Sequence, residues 1–241
     1  MKLAEHWEAQ SQQWIQWARH PEHDSYWQYH RDQFLKLLPP PGTRTVDVGC
    51  GEGRLTRHLK ELGHRITGVD ASPSLVTAAR AADPSMDIRL ADASALPLDD
   101  ASADLAVAFM SLHDIDAMPR AIGEIARILQ PGGRLCLAIV HPINSAGGFE
   151  RSEAGAPFVI KGSYLHPFAY SDTVERDGLT MTFHSQHRPL EAYFSALEDA
   201  GFLVEALREA GIPGEAIASE ASRRWQRVPL FLHLRARRRE T

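Results

Sequence analysis

Glycines stand at alternating positions in the run RTVDVGCGEG, residues 44–53, as Gly49, Gly51 and Gly53, and Asp47 precedes the first by two residues. Without side chains in the way, a ligand can come close to such a backbone. A dinucleotide fingerprint asks for a third glycine at the sixth position of GxGxxG, where this chain has Arg54. A pyrophosphate ligand is therefore disfavoured, and an acidic residue on the strand leading into the loop suits a ligand that carries positive charge. Two further carboxylates, Asp70 and Asp92, fall at the ends of the next two strand-like runs, RITGVD and DIRLAD. About twenty residues past a glycine loop, a carboxylate such as Asp70 can accept both hydroxyl protons of a ribose. Proton chemistry is open to four of the twelve histidines. His113 and His141 follow the fourth and fifth strand-like runs, and His184 and His187 adjoin a long irregular stretch. An imidazole, with an ordinary pKa of about 6.5, can take a proton from a phenol or enol as that group attacks. The spacing of His184 and His187 makes no metal motif, and no metal site is expected.

The elements that must position these residues alternate along the chain. From residue 44, short apolar runs alternate with amphipathic stretches, the pattern of a parallel sheet with helices on both faces. RTVDVGC is the first strand, and the helix GRLTRHLKELG follows, stopped by Gly63. After RITGVD, Ser72 caps a helix that begins at Pro73. DLAVAFM, apolar on both faces, reads as a central strand. The helix MPRAIGEIARIL is broken by QPGG before the strand RLCLAIV. Residues 141–187, rich in Gly, Pro, Ser and aromatics, read as an insertion over the sheet edge on the substrate side. Residues 188–241 supply a helix, RPLEAYFSALEDAGF, and two edge strands. Ahead of the sheet, residues 1–40 hold Trp7, Trp14, Trp17, Tyr26, Trp27, Tyr29 and Phe34, a helical cap whose rings either cover the core or line a pocket.

VDVGCGEGR resembles the first motif of the class I methyltransferases, and ADASALPLDD and LQPGG resemble later ones. The resemblance covers about residues 40–140 by motif and the C-terminal third by element order. It implies a Rossmann-like, mostly parallel, seven-stranded sheet in one domain over 1–241, with the cofactor core at 41–140, and S-adenosyl-L-methionine as cofactor. It also distributes roles. Gly49, Cys50, Gly51 and Gly53 would form the loop, Asp47 would act through loop amides, water or the methionine ammonium and not on the ribose, and Asp70 with Ala71 would hold the ribose. Asp92 would read the adenine amino group and the amide of Ala93 a ring nitrogen, while Phe109, Met110 and Ser111 would flank the sulfonium. By analogy, HPINSAGG and the aromatic cap point to aromatic or quinone-like acceptors.

Composition narrows the partners. At 241 residues the chain can bury a substantial core, and its formal net charge of -5 disfavours a surface built for nucleic acid. The terminal arginines Arg235, Arg237, Arg238 and Arg239 read as a solvated chain end. Two cysteines outside any CxxC pair read as reduced thiols. No secretory pattern opens MKLAEHWEAQ, no apolar run spans a bilayer, and a cytoplasmic enzyme is expected. The expected activity is methyl transfer to a small acceptor at O, N or activated carbon, with self-association as a homodimer left open. Methylation of tRNA or protein, or cofactor binding without catalysis, are the alternatives.

Overall fold

The computed structural model describes residues 2–20, 22–217 and 219–240. Residues 1, 21, 218 and 241, at points within the expected cap and C-terminal segment, lie outside the described residues. Two short helices come first, α1 (Leu3–Ala9) and α2 (Ser11–Arg19), then a π-turn at Tyr26–His30 that runs into α3 (Arg31–Leu35). The sheet elements follow in alternation: β1 (Thr45–Val48), α4 (Arg54–Glu61), β2 (Ile66–Asp70), α5 (Pro73–Ala82), β3 (Asp87–Leu90), β4 (Ala103–Phe109), α6 (Met118–Ile128) and β5 (Leu129–Val140). After α7 (Pro142–Ala146) come the ribbon strands β6 (Gly147–Phe149), β7 (Phe158–Ile160), β8 (Phe168–Arg176) and β9 (Leu179–His187). The chain ends with α8 (Leu190–Asp199), β10 (Phe202–Ala210), α9 (Glu220–Arg223) and β11 (Phe231–Arg238).

Seven strands form the sheet in the order β10-β11-β5-β4-β1-β2-β3. β1 pairs in parallel with both β2 and β4, so the chain's direction of winding reverses between β1 and β4. In open α/β sheets that reversal opens a crevice at the carboxyl ends of the strands. Only β11 runs antiparallel to its neighbours β5 and β10. The fold is thus Rossmann-like and mostly parallel, with helices on both faces. β1 is buried at all four positions, and β4 at six of its seven, because helices cover both sides of the central strands. Ile122, Ile125 and Ile128 of α6 are fully buried with Leu135, Leu137 and Ile139 of β5 in one apolar cluster.

Two elements differ from the sequence expectation. QPGG does not interrupt the chain before β5; Leu129 already pairs with Ala103, and the register slips before Arg134 meets Leu105. Gly132, at φ 77°, absorbs the irregularity within the strand assignment. The 141–187 segment is more regular than its composition suggests, with β6–β7 and β8–β9 forming two antiparallel ribbons. Asp177 and Gly178, both at positive φ, make the two-residue turn of the second ribbon. The cap rings divide between the two expected jobs. Tyr26 and Phe34 are fully buried, whereas Trp7, Trp14 and Trp17 face a cavity and Trp27 is exposed.

Candidate active site

A cavity of about 1120 Å³ opens at the carboxyl ends of β1, β2, β3 and β4 and extends beneath the β8–β9 ribbon. That exceeds the volume one drug-sized ligand needs, and two ligands can share it. The glycine loop forms its floor. Gly49, Gly51 and Gly53 have φ of 76°, 57° and 83°, a region that favours glycine. A Cβ on Gly49 would stand 2.4 Å from Cβ of Ser111, so the loop can close on β4 only without a side chain there. Gly53 does not line the cavity. It caps α4, and a Cβ there would come within 3.1 Å of Ala79 Cβ on α5.

Asp70, at the end of β2, accepts the Gly51 amide at 2.7 Å through Oδ2 and the Ser72 amide at 2.9 Å through Oδ1. Both oxygens are thereby aimed, and each keeps acceptor capacity toward the cavity. Burial raises its pKa, against the pull of those amides. Asp92 is exposed and makes an Asx turn, its Oδ1 accepting the Ser94 amide at 2.7 Å, while it also borders the cavity beside Ala93. Its pKa is lowered, chiefly by Ser94. Asp47 is 1% exposed; Thr56 donates a hydroxyl to it at 2.7 Å, and burial pushes its pKa up to about 6. No Lys or Arg pairs with it among the described residues. A buried carboxylate left this way fits a cationic group in the cavity it borders.

Phe109, Met110 and Ser111 end β4 at the same wall, with Cys50 and Ala71 nearby. Met110 sits at φ 53° while its amide bonds the Ala138 carbonyl at 2.8 Å, so the strand turns sharply where the cavity widens. Ser111 donates its hydroxyl to the Val48 carbonyl at 2.7 Å, tying β4 to β1.

Of the four histidines, only His113 borders the cavity. His141 caps α7, accepting the Ile143 amide at 3.1 Å, and its other nitrogen meets Glu209 at 3.0 Å on the edge strand β10. His187 is fully buried, bonded to Ser145 at 2.7 Å and to the Tyr164 carbonyl at 2.8 Å. His184 lies between Phe183 and Ser185, which face the cavity, so strand alternation turns it outward to stack on His6 at 3.9 Å. None of these three lines the cavity.

Several residues at or behind the cavity wall had no site role in the sequence reading. Glu52, 1% exposed within the glycine loop, joins Arg57 at 2.7 Å and Arg19 of α2 at 3.0 Å. Arg54, where a third glycine would be, pairs with buried Asp24 and lies over Tyr26 at 5.4 Å and Trp14 at 5.7 Å. Glu8 of α1 accepts from the Ser74 hydroxyl at 2.6 Å at the start of α5. Together these clasps hold the N-terminal helices over the loop. The second ribbon completes the roof, with Phe183 within 6.4 Å of the Trp7, Trp14 and Trp17 rings. Acid clusters that meet late in the chain's path leave no local spacing to read. Among the described residues there is no group of three or more His, Cys, Asp or Glu placed to hold a metal, and no helix is long and apolar enough to cross a membrane.

Residues 46–137 match the family described as a methyltransferase domain. An uncharacterised methyltransferase of Mycobacterium tuberculosis is 43% identical over 101 residues, which cover 42% of this chain and 41% of that protein. A malonyl-[acyl-carrier protein] O-methyltransferase of Pectobacterium atrosepticum is 33% identical over 111 residues, 44% of this chain and 43% of that protein. The matched stretch is thus less than half the length of these curated relatives. The crystal structure of an S-adenosylmethionine-dependent methyltransferase from Mesorhizobium loti superposes with a TM-score of 0.71 at 28% identity, covering 89% of this chain and 98% of that one. Residues 46–137 belong to the methyltransferase-domain family, and the chain has the class I, Rossmann-like fold of S-adenosylmethionine-dependent methyltransferases.

Proposed function

We propose that this protein moves a methyl group from S-adenosylmethionine to a small organic acceptor in the aromatic half of the cavity. The observation that carries this is one continuous space whose floor is the glycine loop with Asp47 and Asp70, and whose roof is Trp7, Trp17, Phe168 and Phe183. The cofactor supplies an electrophilic methyl on a sulfonium. Asp70 would hold the ribose diol, Asp92 with the Ala93 amide the adenine, and buried Asp47 the ammonium charge. Gly49, Cys50, Gly51 and Ala71 would give backbone approach, and Phe109, Met110 and Ser111 would flank the reacting centre. Gly53 contributes through the packing that shapes the loop.

What remains for the protein is alignment and exclusion of water, since an in-line displacement needs no covalent intermediate. Holding two reactants in line can supply roughly 7 to 11 kcal/mol of the barrier. The clasped helices and the ribbon would enclose the reaction. The negative net charge supports a small-molecule acceptor over nucleic acid. The relative named for malonyl-[acyl-carrier protein] supports an oxygen nucleophile as one option.

The test is incubation of the purified protein with methyl-labelled S-adenosylmethionine and a cell metabolite extract, followed by mass spectrometry. A labelled small molecule formed only with active protein is expected. Label found only in protein or tRNA, or in nothing while the cofactor binds, would contradict the proposal.

A further inference from the structure

A short helical turn, Leu112–Asp114, follows β4 and sets His113 and Asp114 side by side on the cavity wall just past Ser111. His113 Nε2 is 3.7 Å from Asp114 Oδ1, beyond hydrogen-bonding reach. Neither ring nitrogen has a hydrogen-bond partner among the described residues, and Nδ1 is fully enclosed. Nε2 is also unpaired but is not enclosed, so it is the nitrogen that a ligand in the cavity can reach, on a residue otherwise 4% exposed.

Asp114, by contrast, is held. The Ser185 hydroxyl donates to its Oδ1 at 2.5 Å from the ribbon above. Tyr170, the cross-strand partner of Ser185, turns its hydroxyl toward the same point. Flat apolar surfaces frame the polar spot: Phe168 and Phe183 of the ribbon and Trp7 of α1, whose enclosed indole N–H faces Asp114 without reaching hydrogen-bond geometry. A few polar atoms converging in an aromatic wall suit a ring that bears one ionisable hydroxyl.

We propose that the acceptor is a hydroxylated aromatic or enol whose hydroxyl seats between His113 and Asp114, with His113 Nε2 taking its proton and Asp114 and Ser185 acting as positioning residues. The assignment rests on the cofactor reading above, which orients the transferred methyl toward this wall. In the step, the acceptor oxygen forms the new C–O bond as the C–S bond breaks and its electron pair returns to sulfur. The hydroxyl proton passes to Nε2, and the resulting imidazolium faces the Asp114 carboxylate before releasing the proton to water. The other charged group at this point is Arg188, which lies behind the turn and donates to the His113 carbonyl at 3.3 Å and the Ile115 carbonyl at 2.7 Å. Burial lowers the His113 pKa, opposed by Asp114 and reinforced by Arg188, which keeps the ring neutral and able to accept a proton.

The experiment uses the full chain saturated with S-adenosylhomocysteine and 4-nitrophenol as probe, whose phenolate is yellow. Bound 4-nitrophenol should ionise at a pH roughly one to three units lower in the wild type than in His113→Gln. Equal ionisation in both, or no 4-nitrophenol binding to the S-adenosylhomocysteine complex, overturns the acceptor assignment and leaves the cofactor reading standing. Failure of S-adenosylhomocysteine itself to bind overturns both. Asp114→Asn supplies a reading that keeps His113. Removing the carboxylate should lower the His113 imidazole midpoint, followed by proton NMR, by roughly one to three pH units. An unmoved midpoint would contradict the positioning role.

Discussion

On the proposed reading, Asp47 weakens the fold and serves the site at once. Its carboxyl titrates near pH 6 in the folded chain, because burial favours the neutral form, against 3.8 for the free side chain. Below about pH 4 both states are protonated and the residue costs nothing. Between about 4 and 6 the unfolded chain ionises while the folded chain holds its proton, so stability falls as pH rises, and above 6 the whole penalty, up to about 3 kcal/mol, is present. Asp47→Asn, which can keep the Thr56 hydrogen bond, should therefore raise the melting temperature of the ligand-free protein at pH 7 and leave it nearly unchanged at pH 4. The same variant should bind S-adenosylhomocysteine at least tenfold more weakly, having lost the partner of the ammonium. Thermal unfolding at the two pH values and titration calorimetry check both halves. The placement of such residues at the cavity was legible where a strand end sets it. The loop glycines directly follow β1, and Asp70 and Asp92 stand at or just past the ends of β2 and β3, so the strand ends alone place them. The histidines were not legible in this way, since their directions depend on distant partners such as Glu209 for His141 and Tyr164 for His187. One local signal did exist: residues three apart on a strand face opposite ways, so His184 and His187 could not both look into one cavity.

Among elements, the contact between α2 and the glycine loop joins two parts distant in sequence. Glu52 is enclosed between Arg57 of α4 and Arg19 of α2, and the latter is 45% exposed. Solvent screens the Arg19 contact, so its loss alone should cost less than about 1 kcal/mol. Glu52→Gln removes the charge from both partners and should cost about 1 to 3 kcal/mol, with hydrogen exchange quickening in residues 3–19 and hardly changing in β4 and β5. Uniform quickening across the sheet would show that Glu52 supports the whole fold and not the cap. Element order from β1 to β5 was readable because parallel strands are apolar throughout and each helix carries its own caps, as at Ser72, whose hydroxyl accepts the Leu75 amide at 3.1 Å. The 141–187 ribbons were less so. Their strands are half exposed, and only Met181, Ser185 and His187 of β9 are buried, too few to print an alternating pattern.

In the whole molecule, a reversal of winding at β1 and β4 opens the crevice, a clasped N-terminal segment covers one side of it, and a ribbon inserted after β5 covers the other. The cofactor half depends on the sheet, which the sequence pattern and the Mesorhizobium loti structure both share. On the proposed reading the acceptor half would depend on the cap and ribbon, which lie outside the stretch matched to the methyltransferase family. The central claim is that Asp70, aimed by the amides of Gly51 and Ser72, holds the sugar of an adenosyl ligand. Isothermal titration of S-adenosylhomocysteine into wild-type protein and Asp70→Asn tests it most directly. One-to-one binding that weakens by one to two orders of magnitude in the variant is predicted, the loss of one charge-assisted hydrogen-bonding group at about 1.5 to 3 kcal/mol. Equal affinity in the two proteins, or no binding to the wild type, would contradict it.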